Sequence, residues 1–483
     1  MKLKILVLAL LIYGLVVTPS MALLVRTLNI TNSGRIDLGG DLPRLHVNGT
    51  SLYDSNGNFV QLRGLVSDCM VDQPRLYGTW SDAILEKFIL RIKNAGANTL
   101  AIGFWYKHFL DRDTLDPATW GTWAGKTQYE HFIYDLDRYI SMASKHGLYV
   151  YLRIHVDSNI YRTYQKIYGG TSYGTNPIWT GSYKPEILTA QEEYEYCLAS
   201  LAARYGADPN FVGIVPAVEP PMPYDNYFEY FTWNDYKRVY VDGRESDTSY
   251  PHADRLVGAA RAILYGTPTV PLPAEIQGKV IPILPVWNIG YEKKYGDGTY
   301  VFPIPELHDG TVATGNVMYY FHRYYLWDFN NWYTSAYGKK SWPHIPYYLP
   351  ERYGGKSGTR DSAYWFAAKK EYAKSLNELM SGIKYFMDRG GCPLMGEAGW
   401  QGQYQAPYPE LWYETSESSL IAMRHFFEIL NEWKVNWVYF DAFGYQGYGI
   451  MTNDAEQGGN FPYTDKGPVW EDVVRGSKGT LLG

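Results

Sequence analysis

Tyr129–His155, reading YEHFIYDLDRYISMASKHGLYVYLRIH, decides the fold class. Up to His146 its apolar residues recur at helical spacing, and Gly147 stands where a helix commonly ends on a left-handed residue. Tyr149–His155 then reads as a short buried strand. A helix handing directly on to an apolar strand is the repeating unit of a parallel sheet.

The same unit recurs on both sides. Upstream, Ser81 starts a helix with Ile84, Leu85, Phe88 and Ile92 on one face, Gly96 ends it, and a strand follows over Asn98 to Phe104. Downstream, Thr189-Ala-Gln-Glu192 reads as a capping box for a helix with Tyr194, Cys197, Leu198, Leu201, Ala202 and Tyr205 on its buried stripe. A strand ending at Glu219 comes next. Ala253 to Tyr265 is a further helix, and Lys279 to Asn288 and Asn316 to Tyr324 are strands. Ser362 to Arg389 contains a long helix, and Pro393 to Trp400 is the strand around Glu397. Ser416 to Trp433 is the last helix and Asn436 to Asp441 the eighth strand, leaving a short tail. The first strand is placed at Val60 to Gly64, behind a hairpin whose turns are Asn48-Gly49 and Asn56-Gly57. Eight strands alternating with helices predict an α/β fold, a (β/α)8 TIM barrel with an N-terminal β-hairpin cap. The chain exceeds the roughly 250 residues such a barrel needs. Its surplus falls after strands, at residues 157–188, 221–251 and 325–360, in long loops rich in Tyr, Trp, Gly and Asn. Loops in those positions build the active face of a barrel.

Residues 1–22 read as a secretory signal peptide: Met1-Lys-Leu-Lys4, an apolar run from Ile5 to Val17, then Ser20-Met21-Ala22. That run is short for a membrane span, and an uncleaved anchor is the alternative. Residues 23–59 are expected to form the N-terminal segment and hairpin cap, and 60–483 one barrel domain. The expected location is extracellular. The formal charge of −6, with no basic block or stripe, excludes a nucleic-acid partner. Cys69, Cys197 and Cys392 are too scattered for a zinc cluster or a disulfide framework. Asp113, Asp116 and Asp309 lack a calcium-ligand spacing, so no metal site is expected.

Two apolar strands end on a carboxylate. Phe211 to Pro220 carries Glu219, and Pro393 to Trp400 carries Glu397. A carboxylate at a buried strand end needs a partner, a cleft or a substrate to offset lost hydration, and a structural ion pair is the plain alternative. Two facing carboxylates are the minimum apparatus for cleaving a glycosidic bond. Aromatic residues, 17% of the chain with 46 Tyr and 16 Trp, suit stacking on sugar rings and equally suit a large core.

Several segments together resemble the family 5 glycoside hydrolases and the wider clan of retaining (β/α)8 glycosidases. They are the hairpin into Leu62-Arg63-Gly64, the stretch from Leu198 to Pro220, His322 and Tyr324 on the sixth strand, Met395-Gly-Glu-Ala-Gly399 on the seventh, and His155 on the third. The resemblance implies Glu397 as nucleophile and Glu219 as acid/base. It also implies Tyr324 as a hydrogen-bond donor to Glu397, with His155 and His322 orienting the acid/base or holding sugar hydroxyls. Phe440 takes the place of a tryptophan on the eighth strand. Apart from the resemblance, Trp287 and Trp400 suit sugar platforms and equally suit core packing. Two positions depart from the family. Val218 replaces an asparagine that binds the sugar 2-hydroxyl, and Ala101 replaces an arginine that bonds near the nucleophile. The expected activity is retaining hydrolysis of a β-linked polysaccharide or oligosaccharide, β-glucan or cellulose first and β-mannan second, with no cofactor. A binding protein that has lost turnover and a transglycosylase are the alternatives.

Overall fold

The computed structural model describes residues 40–68, 80–106, 127–155, 185–218, 251–285, 315–322, 383–384, 387–388, 390–399, 417–443, 449–451, 458–464 and 466–476. The chain divides into Met1–Ile36, which lies outside those residues, and Asp37–Gly483.

The second unit opens with a three-stranded antiparallel sheet of β1 (Leu45–Asn48), β2 (Ser51–Asp54) and β3 (Phe59–Val60). Gly49 and Gly57 at its two turns have φ of 60° and 82°, as the Asn-Gly pairs predict. Eight strands then close a barrel: β4 (Arg63–Asp68), β5 (Thr99–Trp105), β6 (Tyr149–His155), β7 (Phe211–Val218), β8 (Ile281–Pro285), β9 (Met318–His322), β10 (Cys392–Ala398) and β11 (Asn436–Tyr439). Each pairs parallel with the next, and β11 closes on β4. This is the (β/α)8 barrel the alternation predicts. The first strand begins at Arg63 rather than Val60, because Val60 still pairs with Leu52 in the hairpin.

Helices α1 (Asp82–Asn94), α2 (Gln128–Lys145), α3 (Pro185–Tyr205), α4 (Pro251–Tyr265) and α5 (Glu417–Glu432) separate strands as expected. Ser81 caps α1, its hydroxyl accepting from the Ile84 N–H at 3.3 Å. The capping box expected at Thr189 is not one, since α3 already starts at Pro185 and Thr189 lies a turn inside. Proline suits a first helical position, where its missing N–H leaves no bond unmade. A capping box does form at Thr127 and Glu130, ahead of α2. The expected short tail holds another helix, α6 (Lys466–Val474). Its Trp470 is fully buried and donates from the indole to the Gly64 carbonyl at 3.3 Å, so this helix covers β4 from outside. Most of the long helix expected between Ser362 and Arg389 lies outside the described residues.

The hairpin closes the end of the barrel where the strands begin. Leu45 and Leu52 join Leu62, Tyr149 and Leu394 in one buried cluster, and the Tyr149 hydroxyl donates to the Pro43 carbonyl at 2.8 Å. An asparagine at or just before the start of every second strand ties this end together. Asn98 bonds the backbone of Gln61 and Arg63, Asn210 that of Leu42 and Leu148, Asn316 that of Val47 and Gly278, and Asn436 that of Leu62 and Pro393. A side-chain amide both donates and accepts, so one residue satisfies two backbone groups that strand starts leave open. Asn436→Ala leaves a buried N–H and a buried carbonyl unpaired, and should lower unfolding free energy by about 2 kcal/mol or more in urea titration. With this end closed, the carboxyl ends of the strands remain to form a site.

Candidate active site

The charged interior of the barrel gathers at those carboxyl ends. Asp68 ends β4, Arg153 and His155 lie at the end of β6, His322 ends β9, and Glu397 is the last residue but one of β10. Regular alternation along β10 turns Cys392 and Leu394 inward and would aim Glu397 at the surrounding helices. A register shift between Met395 and Glu397 prevents this, since Met395 pairs with Phe321 and Glu397 with the adjacent His322. An extra residue of this kind re-aims the side chains that follow it. The residue at the shift is Gly396, where a Cβ would lie 1.6 Å from the Tyr320 ring. Glycine is needed there because the Tyr320 ring, whose hydroxyl donates to the Gly396 carbonyl at 3.3 Å, fills that space.

Glu397 is 4% exposed. Its Oε1 is paired with the Arg153 guanidinium, and its Oε2 lies 3.2 Å from His322 Nδ1. Arg153 is fully buried and comes from the opposite wall of the barrel. Its Nη1 is 3.5 Å from Asp68 Oδ1, and Asp68 Oδ2 is 2.9 Å from His155 Nε2. The result is a continuous row, His155, Asp68, Arg153, Glu397, His322, in which acids and bases alternate. Tyr320 and Phe440 flank the guanidinium, with ring centroids 5.8 Å and 5.7 Å away. Burial pushes the Asp68 carboxyl up, but Arg153, His155 and His322 outweigh it and hold it below the usual carboxylate range. A cation and an imidazole placed on Glu397 favour its charged form, which is the form a nucleophile needs.

Of the residues singled out from sequence, Glu397 and His322 are in direct contact. His155 joins them through Asp68 and Arg153, and Phe440 lies beside the guanidinium. His322 is turned onto Glu397, whereas the sequence reading assigned it to the acid/base or to sugar hydroxyls. Glu219, Tyr324, Trp287 and Trp400 lie outside the described residues. Val218, which Glu219 follows, is buried in the interior cluster, so the position of the family's asparagine offers no polar group to a sugar. Sequence reasoning missed Arg153 and Asp68. The signal for Arg153 was a lone charge in an otherwise apolar strand, two residues before His155 and therefore on the same face.

The barrel agrees with a comparison against known families. The family model for cellulase, glycosyl hydrolase family 5, matches residues 53–445. The chain belongs to glycosyl hydrolase family 5. As a family 5 member it is a cellulase-like glycoside hydrolase. Among solved structures it is similar to the cellotetraose complex of an endocellulase from Pyrococcus horikoshii, at 15% identity and a TM-score of 0.52, covering 89% of this chain and 98% of that one. A second structure of endocellulase from that archaeon matches at 14% identity and a TM-score of 0.52, over 89% and 98% of the two chains. A hyperthermostable endocellulase matches at 15% identity and 0.51, with the same coverage. At these identities the likeness speaks for the fold alone. A search of curated proteins finds no match. Where the family has its second-strand arginine, this member has Ala101, fully buried in the interior. Here the guanidinium on the seventh-strand glutamate comes from Arg153, on the third strand of the barrel.

Proposed function

We propose that the chain is an exported, endo-acting β-glucanase that works by double displacement, with Glu397 as nucleophile and Glu219 as acid/base. The observation that carries the reading is the buried Glu397 carboxylate held between Arg153 and His322 at the carboxyl end of the barrel. A guanidinium and an imidazole on such a carboxylate favour its charged form and fix its direction, and burial limits its contact with water. Membership of the cellulase family supports a β-linked glucan as substrate, with β-mannan second. Residues 1–22 support export.

In the first step a Glu397 oxygen bonds to the anomeric carbon as the glycosidic C–O bond breaks, and Glu219 delivers its proton to the departing oxygen. In the second, water attacks the same carbon, Glu219 takes the water's proton, and the Glu397 ester bond breaks. Glu219 follows the last residue of β7, and β7 and β10 are parallel, so their carboxyl ends share one rim. Two inversions at one carbon give net retention. Proton NMR of a fresh digest of a β-1,4-gluco-oligosaccharide should therefore show the β anomer first, with the α anomer growing only by mutarotation. First appearance of the α anomer would overturn the mechanism. Failure of the wild type to release sugar from any β-glycan would favour a binding protein.

A further inference from the structure

Double displacement does not by itself explain the second carboxylate in the buried row. Asp68, Gly103 and Arg153 stand in register on three neighbouring strands, Asp68 pairing with Gly103 and Gly103 with Arg153. Asp68 and Arg153 can meet only over the middle position. A Cβ on Gly103 would lie 1.7 Å from Asp68 Oδ1, so the carboxylate occupies the space that a side chain there would fill. Two residues earlier on the same strand, Ala101 adds only a methyl group to the interior. The second strand is therefore stripped of bulk where the guanidinium has a carboxylate on each side.

We propose that Asp68 is a positioning residue for the reaction, sharing the Arg153 guanidinium with Glu397 across the gap left by Gly103. This rests on Glu397 being the nucleophile. A guanidinium given to one buried carboxylate alone would stabilise the resting anion, and only interactions stronger in the transition state speed the chemistry. With Asp68 as a second claimant, Arg153 keeps Glu397 ionised yet releases it more readily as its charge passes to the anomeric carbon. His155 closes the other side of Asp68 at 2.9 Å and fixes its direction. Among the described residues, the titratable or charged groups that face the pair are Asp68 on β4, Tyr151, Arg153 and His155 on β6, and Tyr320 and His322 on β9. Substitution of Asp68 removes one negative charge from this set, and Arg153 then turns wholly to Glu397. Both effects favour the ionised nucleophile, so both move the acid limb of the pH profile the same way.

The test compares wild type, Asp68→Asn and Gly103→Ala as full chains, with thermal melts to confirm folding. Asp68→Asn should lower kcat about tenfold or more, leave KM within about threefold, and move the acid limb of kcat/KM down by about half a pH unit or more. Gly103→Ala, which pushes the carboxylate away without altering charge, should move the limb in the same direction by less. A merely structural role would lower the melting temperature and leave the limb in place. An acid limb that is unmoved or raised in folded Asp68→Asn overturns the proposal, and that variant decides alone if Gly103→Ala does not fold. Carbon-13 NMR titration of the Glu397 carboxyl gives a readout independent of turnover. If the wild type hydrolyses no β-glycan the nucleophile reading fails, and an unchanged titration midpoint in Asp68→Asn separately overturns the sharing of Arg153.

Discussion

Glu397→Ala is expected to hydrolyse β-glucan at least about 10^4-fold more slowly than wild type, because the carboxylate that forms the covalent intermediate is gone. The fold should survive, since Arg153 keeps Asp68 as its partner. The cavity left by the carboxylate admits a small anion. With azide and an activated β-glycoside, turnover should return in part and give the α-glycosyl azide, a single displacement from the face Glu397 occupied. Glu219→Ala should behave as its mirror image. It retains the nucleophile, still opens substrates whose leaving group needs no proton, and with azide should give the β-glycosyl azide by attack on the intermediate. These opposite stereochemical outcomes assign the two roles without a bound structure. Azide products of the same configuration from both variants would sink the assignment, as would wild-type turnover by the Glu397→Ala protein.

The sequence was legible where one residue decides one local feature. Asn-Gly pairs marked the hairpin turns, Ser81 the start of α1, and Gly147 the joint between α2 and β6, each because the backbone there admits few residue types. The buried stripe of α3, from Tyr194 to Tyr205, followed from helical spacing although the start of that helix did not. What sequence hid depends on residues distant along the chain. The α6 helix reads as a tail because its apolar face, Trp470 with Val473 and Val474, makes sense only against β4. The four asparagines at the closed end are unremarkable singly, and their meaning lies in the alternate strands they precede.

At the site, Glu397 and His322 were found because each falls in a recognisable motif. Arg153 was passed over because a family pattern directs attention to the second strand, where this chain has Ala101. Nor does spacing along β10 reveal that Glu397 faces inward, since a register shift at Gly396 reverses the parity that alternation assigns. Gly396 and Gly103 look like ordinary strand glycines until the Tyr320 ring and the Asp68 carboxylate are seen in the space beside them.

Arg153→Met should be the most damaging change outside the two glutamates, in stability as well as rate. The substitution keeps much of the side chain's length but leaves Glu397 and Asp68 as buried acids whose only remaining partners in the row are histidines. Removing one member of a buried pair costs about 3–5 kcal/mol, because the other is left charged without its partner. That loss should depend on pH in a definite direction. Without the guanidinium, burial raises both carboxyls above their unfolded values, so the folded form binds protons more readily than the unfolded one. Stability of the variant should then increase as pH falls from 7 toward the unfolded carboxyl range near about 4, and decrease as pH rises through the raised values. Wild type should trend the other way at its acid end, since Asp68 is held low when folded and loses that stabilisation as it protonates. In kinetics the same change should cut kcat/KM by about 10^3-fold and move its acid limb up, opposite to the shift expected for Asp68→Asn. Arg153→Lys keeps the charge without the two-sided reach of a guanidinium, and should recover stability before it recovers rate. Urea titrations from pH 4 to 8 set beside the pH–rate profiles would check both halves. A variant as stable as wild type at pH 7, with its acid limb in place, would mean that the ion pair neither holds Glu397 nor keeps it ionised.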